Sequence, residues 1–437
     1  MKNLWNDTDE QTYISRYRGK YYTHPDTEKE ILRQAYATTL LGADSALTMH
    51  GGGNTSIKVN IVDEAGKEKH ALYVKATGTP LNLFEPEYFV VMDLDGLEGL
   101  KSRVGLDDAD MASEFKRLRL ARTDRLPSIE SLMHAFIPAK IVDHSHPEAL
   151  LKITNRAGGA DLLTECFGKD LAVTPYARMG YDLASAVSES VRRNVGCGGV
   201  FIVHHGLVVW GDGAREVYDL TIEIVNRAER FLASMPSKPI RRGAEVSAAE
   251  SERNYQKAAP LIREALGGGD VSLILLNAPD VMELINSPDA SILRNPPLTP
   301  DYPMLRRILP LWLDVDLHGG IDELSSYIKA AVDKHVKEYG DYLGKRGVSD
   351  QPIIDLLPKA IVHPRMGAVC FGTDEAAAAA VGDFTRQAFS IRRAIFESGG
   401  VYRCLAEEYL FDMQYRGYQR DKAAGESKIK SQLPPSA

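Results

Sequence analysis

The feature that most constrains this chain is the regular alternation of short apolar runs with longer amphipathic segments. GGVFIVHHGLVVWGDG (198–213) is followed by AREVYDLTIEIVNRAERFLA, and VSLILLN is followed by DVMELIN. Runs of four to eight apolar residues fit strands, and apolar side chains recurring every three or four positions fit helices. Their alternation specifies an α/β architecture. The pattern runs from EKEILRQAYATTLLGADSALT (28–48), a helix, through a glycine turn to the strand-like residues after MHGGGNTSIKV. Strands are expected in ALYVKATGTPL (71–81) and EYFVVMDLDG (87–96), and a charged helix over 107–122. Pro127 and Ser128 open a helix through SIESLMHAF, and AKIVDHSHPEALLKITN reads as a strand, a histidine-rich break and a helix.

At 437 residues the chain exceeds one typical domain. The stretch 235–250, MPSKPIRRGAEVSAAE, combines proline, glycine, serine and charge. It divides the chain into a domain at 1–235, a linker at 236–250 and a second α/β domain at 251–420, with a polar tail at 421–437 expected to be disordered. The second half alternates again: a helix at 253–266, the strand LPLWLDV, a helix at 320–343, and helices at 374–389 and 398–417.

A formal net charge of −8, with no basic run interleaved with aromatics, argues against nucleic acid as a partner. The polar N-terminus lacks the apolar stretch of a signal peptide, and no run reaches the length of a membrane span, so a cytoplasmic location without membrane attachment is expected. Cys166, Cys197, Cys370 and Cys404 are scattered and read as reduced core residues.

Gly206-Leu-Val-Val-Trp-Gly211 and Gly367-Ala-Val-Cys-Phe-Gly372 share glycine spacing and apolar pattern, and each precedes a helix. A duplicated domain explains the echo; so does the ordinary likeness of two strand-to-helix corners. In a duplication, Met366 stands where His205 stands, and the second copy cannot hold the same metal.

His144-Ser145-His146 ends an apolar run, where alternate residues point to one side, so both imidazoles can face one point. Neutral imidazole is a common nitrogen donor for zinc, and catalytic sites use three protein ligands with an open position. His204-His205-Gly206 offers a third donor, and strand alternation alone does not choose between its adjacent histidines. Glu130 is placed to serve as a general base near a metal, or as a first-turn glutamate favoured by the helix dipole. His134, four residues on, reads as a hydrogen-bonding neighbour. His50-Gly-Gly-Gly-Asn54-Thr-Ser exposes backbone amides suited to an oxyanion, and Thr77-Gly78 offers a second such turn. No Gly-Lys-Ser/Thr follows either, and no Gly-x-Gly-x-x-Gly follows a strand, so a P-loop or dinucleotide site has little support.

In this order the Gly-Asn turn, Thr-Gly turn, Pro-Ser-x-Glu, His-x-His, Pro-Tyr and His-Gly resemble the class II aldolase/adducin family. The likeness is strong over about 28–235. A looser one, through NAPDVMELINSPDA, LTPDYPMLRR and CLAEEYL, is similar to the aldolase half of fused rhamnulose-phosphate aldolase/dehydrogenase proteins. The chain stops where their reductase domain would start, so the resemblance does not carry dehydrogenase activity with it.

The resemblance implies a layered α/β/α domain with a central, mostly antiparallel sheet. It implies His144, His146 and His205 as ligands of a divalent ion, most simply zinc, and Glu130 as the acid/base. Asn54, Thr77, Gly78 and Ser128 match substrate- or phosphate-binding positions. Tyr176, in VTPYARMG, matches a tyrosine donated by a neighbouring subunit, which implies a homo-oligomer, usually a tetramer in this family. The implied reaction is lyase cleavage of a ketose 1-phosphate or similar hydroxy-carbonyl sugar through an enediolate. Epimerisation, decarboxylation or dehydration on the same site, and a non-catalytic adducin-like scaffold, are the alternatives. Ile129 stands where phosphate-using members often carry a second hydroxyl before the glutamate.

Overall fold

The computed structural model describes residues 1–20, 24–62, 66–103, 105–121, 123–268, 271–295, 310–348 and 356–415. The expected disordered tail, 421–437, lies outside them. Two compact units are present, Met1–Met235 together with the segment from Ala406, and Pro236–Leu405. The stretch expected as a linker is grouped with the second unit, and its end starts the helix Ala248–Ala265, capped by Ser247. The C-terminal helix Glu407–Tyr415, expected within the second domain, is grouped with the first unit.

The first unit is built on strands β1 (Asn54–Val62), β2 (Glu68–Lys75), β3 (Phe89–Asp93), β4 (Ile141–Ser145), β5 (Leu171–Thr174), β6 (Gly199–Ile202) and β7 (Gly206–Gly211). They form one seven-stranded sheet in the order β3-β2-β1-β4-β7-β6-β5. Every pairing is antiparallel except β5 with β6, so the sheet is mostly antiparallel. β4 lies at its centre and is buried along its whole length.

Side-chain alternation along β4 defines the layers. Asp143 reaches Gln34 on the helix Pro25–Ala43, while His144 turns to Glu130, which precedes the helix Ser131–Phe136. Helices therefore cover both faces, giving the α/β/α arrangement. The helix Pro25–Ala43 starts with proline and acids in its first turn, where free N–H groups favour both. The helix Ala214–Ser234 buries Val217, Tyr218, Thr221, Ile222, Ile224, Val225 and Ala228, one face at helical spacing.

The second unit contains β8 (Ser272–Leu276), β9 (Leu311–Trp312), β10 (Ala360–His363) and β11 (Gly367–Gly372), in the order β8-β11-β10-β9. This repeats the half-sheet β4-β7-β6-β5 in order and sense: antiparallel, antiparallel, parallel. The shared glycine spacing falls on β7 and β11. His205 and Met366 occupy matching turns, each donating its backbone N–H to the carbonyl three residues back, at 3.0 Å. Ser145 pairs with Leu207 and Leu276 with Ala368, the residues after the matching glycines. Leu275 and Asn277 consequently stand where His144 and His146 stand. The echo thus extends from glycine spacing to strand order and sense, and the second unit carries Leu275, Asn277 and Met366 at the positions of the three imidazoles.

Among the described residues, no helix is long and apolar enough to cross a membrane. All four cysteines are free thiols; three are buried, but Cys404 is half-exposed and not a core residue.

Candidate metal and acid-base site

The site forms where β4 ends against the β6–β7 turn. His144 is the fourth residue of β4, His146 lies one residue beyond the strand, and His205 sits in the turn between Ile202 and Gly206. His204 adopts a left-handed φ of 60°, unusual for a residue with a side chain. That reversal separates the adjacent histidines: His205 is buried and joins the cluster, while His204 is half-buried and outside it. Gly206 is required by space. A Cβ there would lie 2.4 Å from the Ser145 carbonyl oxygen and within 3 Å of both the His146 and His144 rings.

The Nε2 atoms of His144 and His205 lie 3.2 Å apart, and those of His146 and His144 3.0 Å apart. Among the described residues these three form the one group of ligand atoms close enough to share an ion. His144 Nδ1 donates to the Leu207 carbonyl at 2.9 Å, which leaves the Nε2 lone pair free to face the cluster. Burial pushes the His144 imidazole down to about 3, so it is neutral at physiological pH.

Glu130 closes the fourth side. Its Oε1 lies 3.2 Å from His205 Nε2 and 3.7 Å from His144 Nε2, and no hydrogen-bond partner is assigned to this buried oxygen. Burial acts to raise the Glu130 carboxyl, but the neighbouring imidazoles and the Asn54 amide outweigh it and hold it well below the usual range. The residue precedes the helix Ser131–Phe136 rather than lying within it, with its N–H donating to Ser128 Oγ at 3.2 Å.

Behind Glu130 runs a buried relay that sequence reasoning identified only in part. Asn54 Nδ2 donates to Glu130 Oε2 at 2.5 Å, Asn54 Oδ1 contacts His134 Nε2, and His134 Nδ1 meets Ser56 Oγ at 2.7 Å. Burial lowers the His134 imidazole to about 3, so it is neutral and acts as a hydrogen-bonding strut. The Asn54 side chain thus bridges His134 and Glu130. Asn54 and His144 are directly opposed on β1 and β4, which brings the glycine turn to the histidines.

The other expected positions converge on the same end of the sheet. Ala76 bridges to Pro127, Thr77 N–H donates to the Leu126 carbonyl at 2.8 Å, and Ser128 N–H to the Lys75 carbonyl at 3.3 Å. The Thr77-Gly78 turn and Ser128 are therefore neighbours, with Gly78 at a φ of +75°. Lys75, which the sequence reading overlooked, is buried at the end of β2, and its ammonium donates to the carbonyls of Gly51 and Gly53 at 3.0 Å each. A lysine two residues before the Thr-Gly turn was the available signal. Tyr176 follows β5, half-buried, with its ring centroid 6.4 Å from that of His205.

The donor set fits a divalent transition-metal ion. Three imidazole nitrogens and a carboxylate oxygen converge within a buried volume, and their lone pairs repel at such separations unless a proton or a metal cation lies between them.

Comparisons with known proteins agree with this fold. Residues 33–232 match the Class II Aldolase and Adducin N-terminal domain, and residues 253–422 match the Aldolase class II, second domain. The chain belongs to the class II aldolase and adducin family, whose two domain types occupy its two halves. It is 27% identical over 394 residues to a Bacillus subtilis (strain 168) protein named uncharacterized oxidoreductase YuxG; the match covers 89% of this chain and 57% of that relative. The chain therefore spans little more than half of that relative's length. The N-terminal class II aldolase domain of a conserved Thermoplasma acidophilum protein is 31% identical, covering 53% of this chain and 99% of that one, with a TM-score of 0.46. An L-fuculose-1-phosphate aldolase from Thermus thermophilus is 18% identical, covering 46% and 94%, with a TM-score of 0.31.

Proposed function

We propose that this chain is a metal-dependent carbon–carbon lyase that cleaves a ketose 1-phosphate or a similar hydroxy-carbonyl compound. The observation that carries the reading is the convergence of His144, His146 and His205 with Glu130 Oε1 in one buried site. The three imidazoles would hold the ion, with zinc favoured by an all-nitrogen set. When bound, the ion supplies a Lewis acid that polarises a carbonyl and stabilises the charge developing on its oxygen.

The protein's own groups do the rest. In the cleavage direction the C3–C4 bond breaks as the C4 hydroxyl loses its proton, and the bonding pair moves toward the carbonyl to leave an enediolate. Tyr176 handles the proton at the aldehyde oxygen, and Glu130 returns one to the enediolate carbon. The Ser56–His134–Asn54 relay fixes the Glu130 carboxylate in one orientation. The Thr77-Gly78 turn, Ser128 and the amides of the turn held by Lys75 would receive the anionic or polar end of the substrate. By the family likeness, Tyr176 serves the site of a neighbouring subunit in a homo-oligomer.

The test is metal analysis of purified protein followed by a retro-aldol screen over phosphorylated and free ketoses. Free sugars belong in the screen because Ile129 contributes no hydroxyl beside Ser128. About one ion per chain is expected, lost on His144→Ala, His146→Ala or His205→Ala and kept on His204→Ala. Retention of the ion in His205→Ala with its loss in His204→Ala would overturn the ligand assignment.

A further inference from the structure

The helix Glu407–Tyr415 follows the whole second unit in sequence, yet it is grouped with the first. Two of its side chains contact residues of that unit. The Tyr409 ring packs on the Tyr176 ring, with centroids 4.9 Å apart and planes at 54°. The Asp412 carboxylate pairs with the Arg178 guanidinium. Residues three apart share a helix face, so a single face of this helix engages residues 176 and 178 of one loop. That loop follows β5, a four-residue strand at the edge of the sheet, and the backbone of residues 175–178 lies in neither helix nor strand. A tyrosine that must present its hydroxyl to a reacting oxygen needs its ring held from the side. The helix supplies that hold.

We propose that Tyr409 and the Arg178–Asp412 pair are positioning residues for Tyr176. Carbon–carbon cleavage, the step that uses the Tyr176 hydroxyl, then depends on the C-terminal helix, whereas metal binding and proton exchange at Glu130 do not. This inference rests on the lyase reading for its chemistry, and holds for whichever subunit's site Tyr176 serves.

The experiment uses the full chain with Tyr409→Ala, Tyr409→Phe, Asp412→Asn and the exchanged pair Arg178→Asp/Asp412→Arg. Four quantities are read: metal content, solvent deuterium uptake into dihydroxyacetone phosphate, retro-aldol cleavage, and amide hydrogen exchange over residues 175–179. Tyr409→Ala is expected to slow cleavage on the order of tenfold or more, as misplacement of a reacting group does, and to deprotect 175–179. Its metal content and deuterium uptake should stay near wild type. Tyr409→Phe keeps the ring and should restore cleavage, and the exchanged pair should recover what Asp412→Asn loses. Wild-type cleavage and protection in Tyr409→Ala would overturn the proposal, as would parallel loss of metal, exchange and cleavage. If the wild-type protein cleaves and exchanges nothing, the lyase reading fails, and protection of 175–179 alone decides the positioning contact.

Discussion

At Glu130 a carboxylate is kept ionised in a buried place because polar neighbours surround it. Asn54 donates to one oxygen, and the other faces His144 and His205. Replacing Glu130 by Gln preserves shape and size but removes the ability to accept a proton. The variant should keep its metal and lose proton exchange at the substrate carbon by on the order of 100-fold, the scale of a positioned general base. Deuterium uptake into substrate measures it, and near-native exchange in a metal-loaded variant would remove Glu130 from the chemistry.

Asp143, on the opposite face of β4, has the reverse problem. Burial pushes its carboxyl up to about 7, only partly countered by Gln34 Nε2 donating at 2.6 Å. Asp143 Oδ2 and Gln34 Oε1 are both buried acceptors without a hydrogen-bond partner, a setting that favours the uncharged, protonated carboxyl. The folded pKa lies above the unfolded value near 4. The protonated acid's contribution is therefore complete below about pH 4 and is lost as the pH rises toward and through 7. Asp143→Asn mimics the protonated acid at every pH. Its melting temperature relative to wild type should rise between pH 5 and 8, and an unchanged difference across that range would reject the account.

At the scale of elements, β-strand alternation made His144 and His146 legible, since the two side chains of a His-x-His at a strand end can face one point. The choice between His204 and His205 was not legible, because it depends on the left-handed φ of His204, which no spacing encodes. The helix Asp7–Tyr17 also went unread: its sequence is polar, and its cap and inward face rest on Asn6 and on Ile14 and Tyr17 packing against Leu32. Strand ends were read too long, as at Lys75, where β2 stops because the chain turns to meet Pro127. Gly206 shows how tightly β4 and β7 are joined. Gly206→Ala places a methyl carbon 2.4 Å from the Ser145 carbonyl, a backbone atom that cannot rotate away. A cost of about 1–3 kcal/mol is expected, as for overpacking, with weakened metal binding because His144 and His146 are displaced together. Calorimetry and metal titration test it; native stability and affinity would show that the turn accommodates the methyl.

At the scale of the molecule, the likeness of the two half-sheets leads to an expectation of one ion per chain rather than two: Leu275, Asn277 and Met366 stand where the first unit has imidazoles. Tyr176 sits after β5, the outermost strand of its sheet, with Pro175 and Arg178 exposed beside it, so its loop lies where another subunit can approach. A site shared between subunits makes a demand that a self-contained site does not. Glu130→Gln and Tyr176→Phe proteins are each expected to be inactive, but a mixed oligomer would contain some interfaces where a wild-type Glu130 meets a wild-type Tyr176. Mixing the two under conditions that exchange subunits should restore a fraction of the activity, and mixing either with itself should restore none. Persistent inactivity after demonstrated exchange, or full activity in a monomer, would place Tyr176 in the site of its own chain, where its ring already lies beside His205.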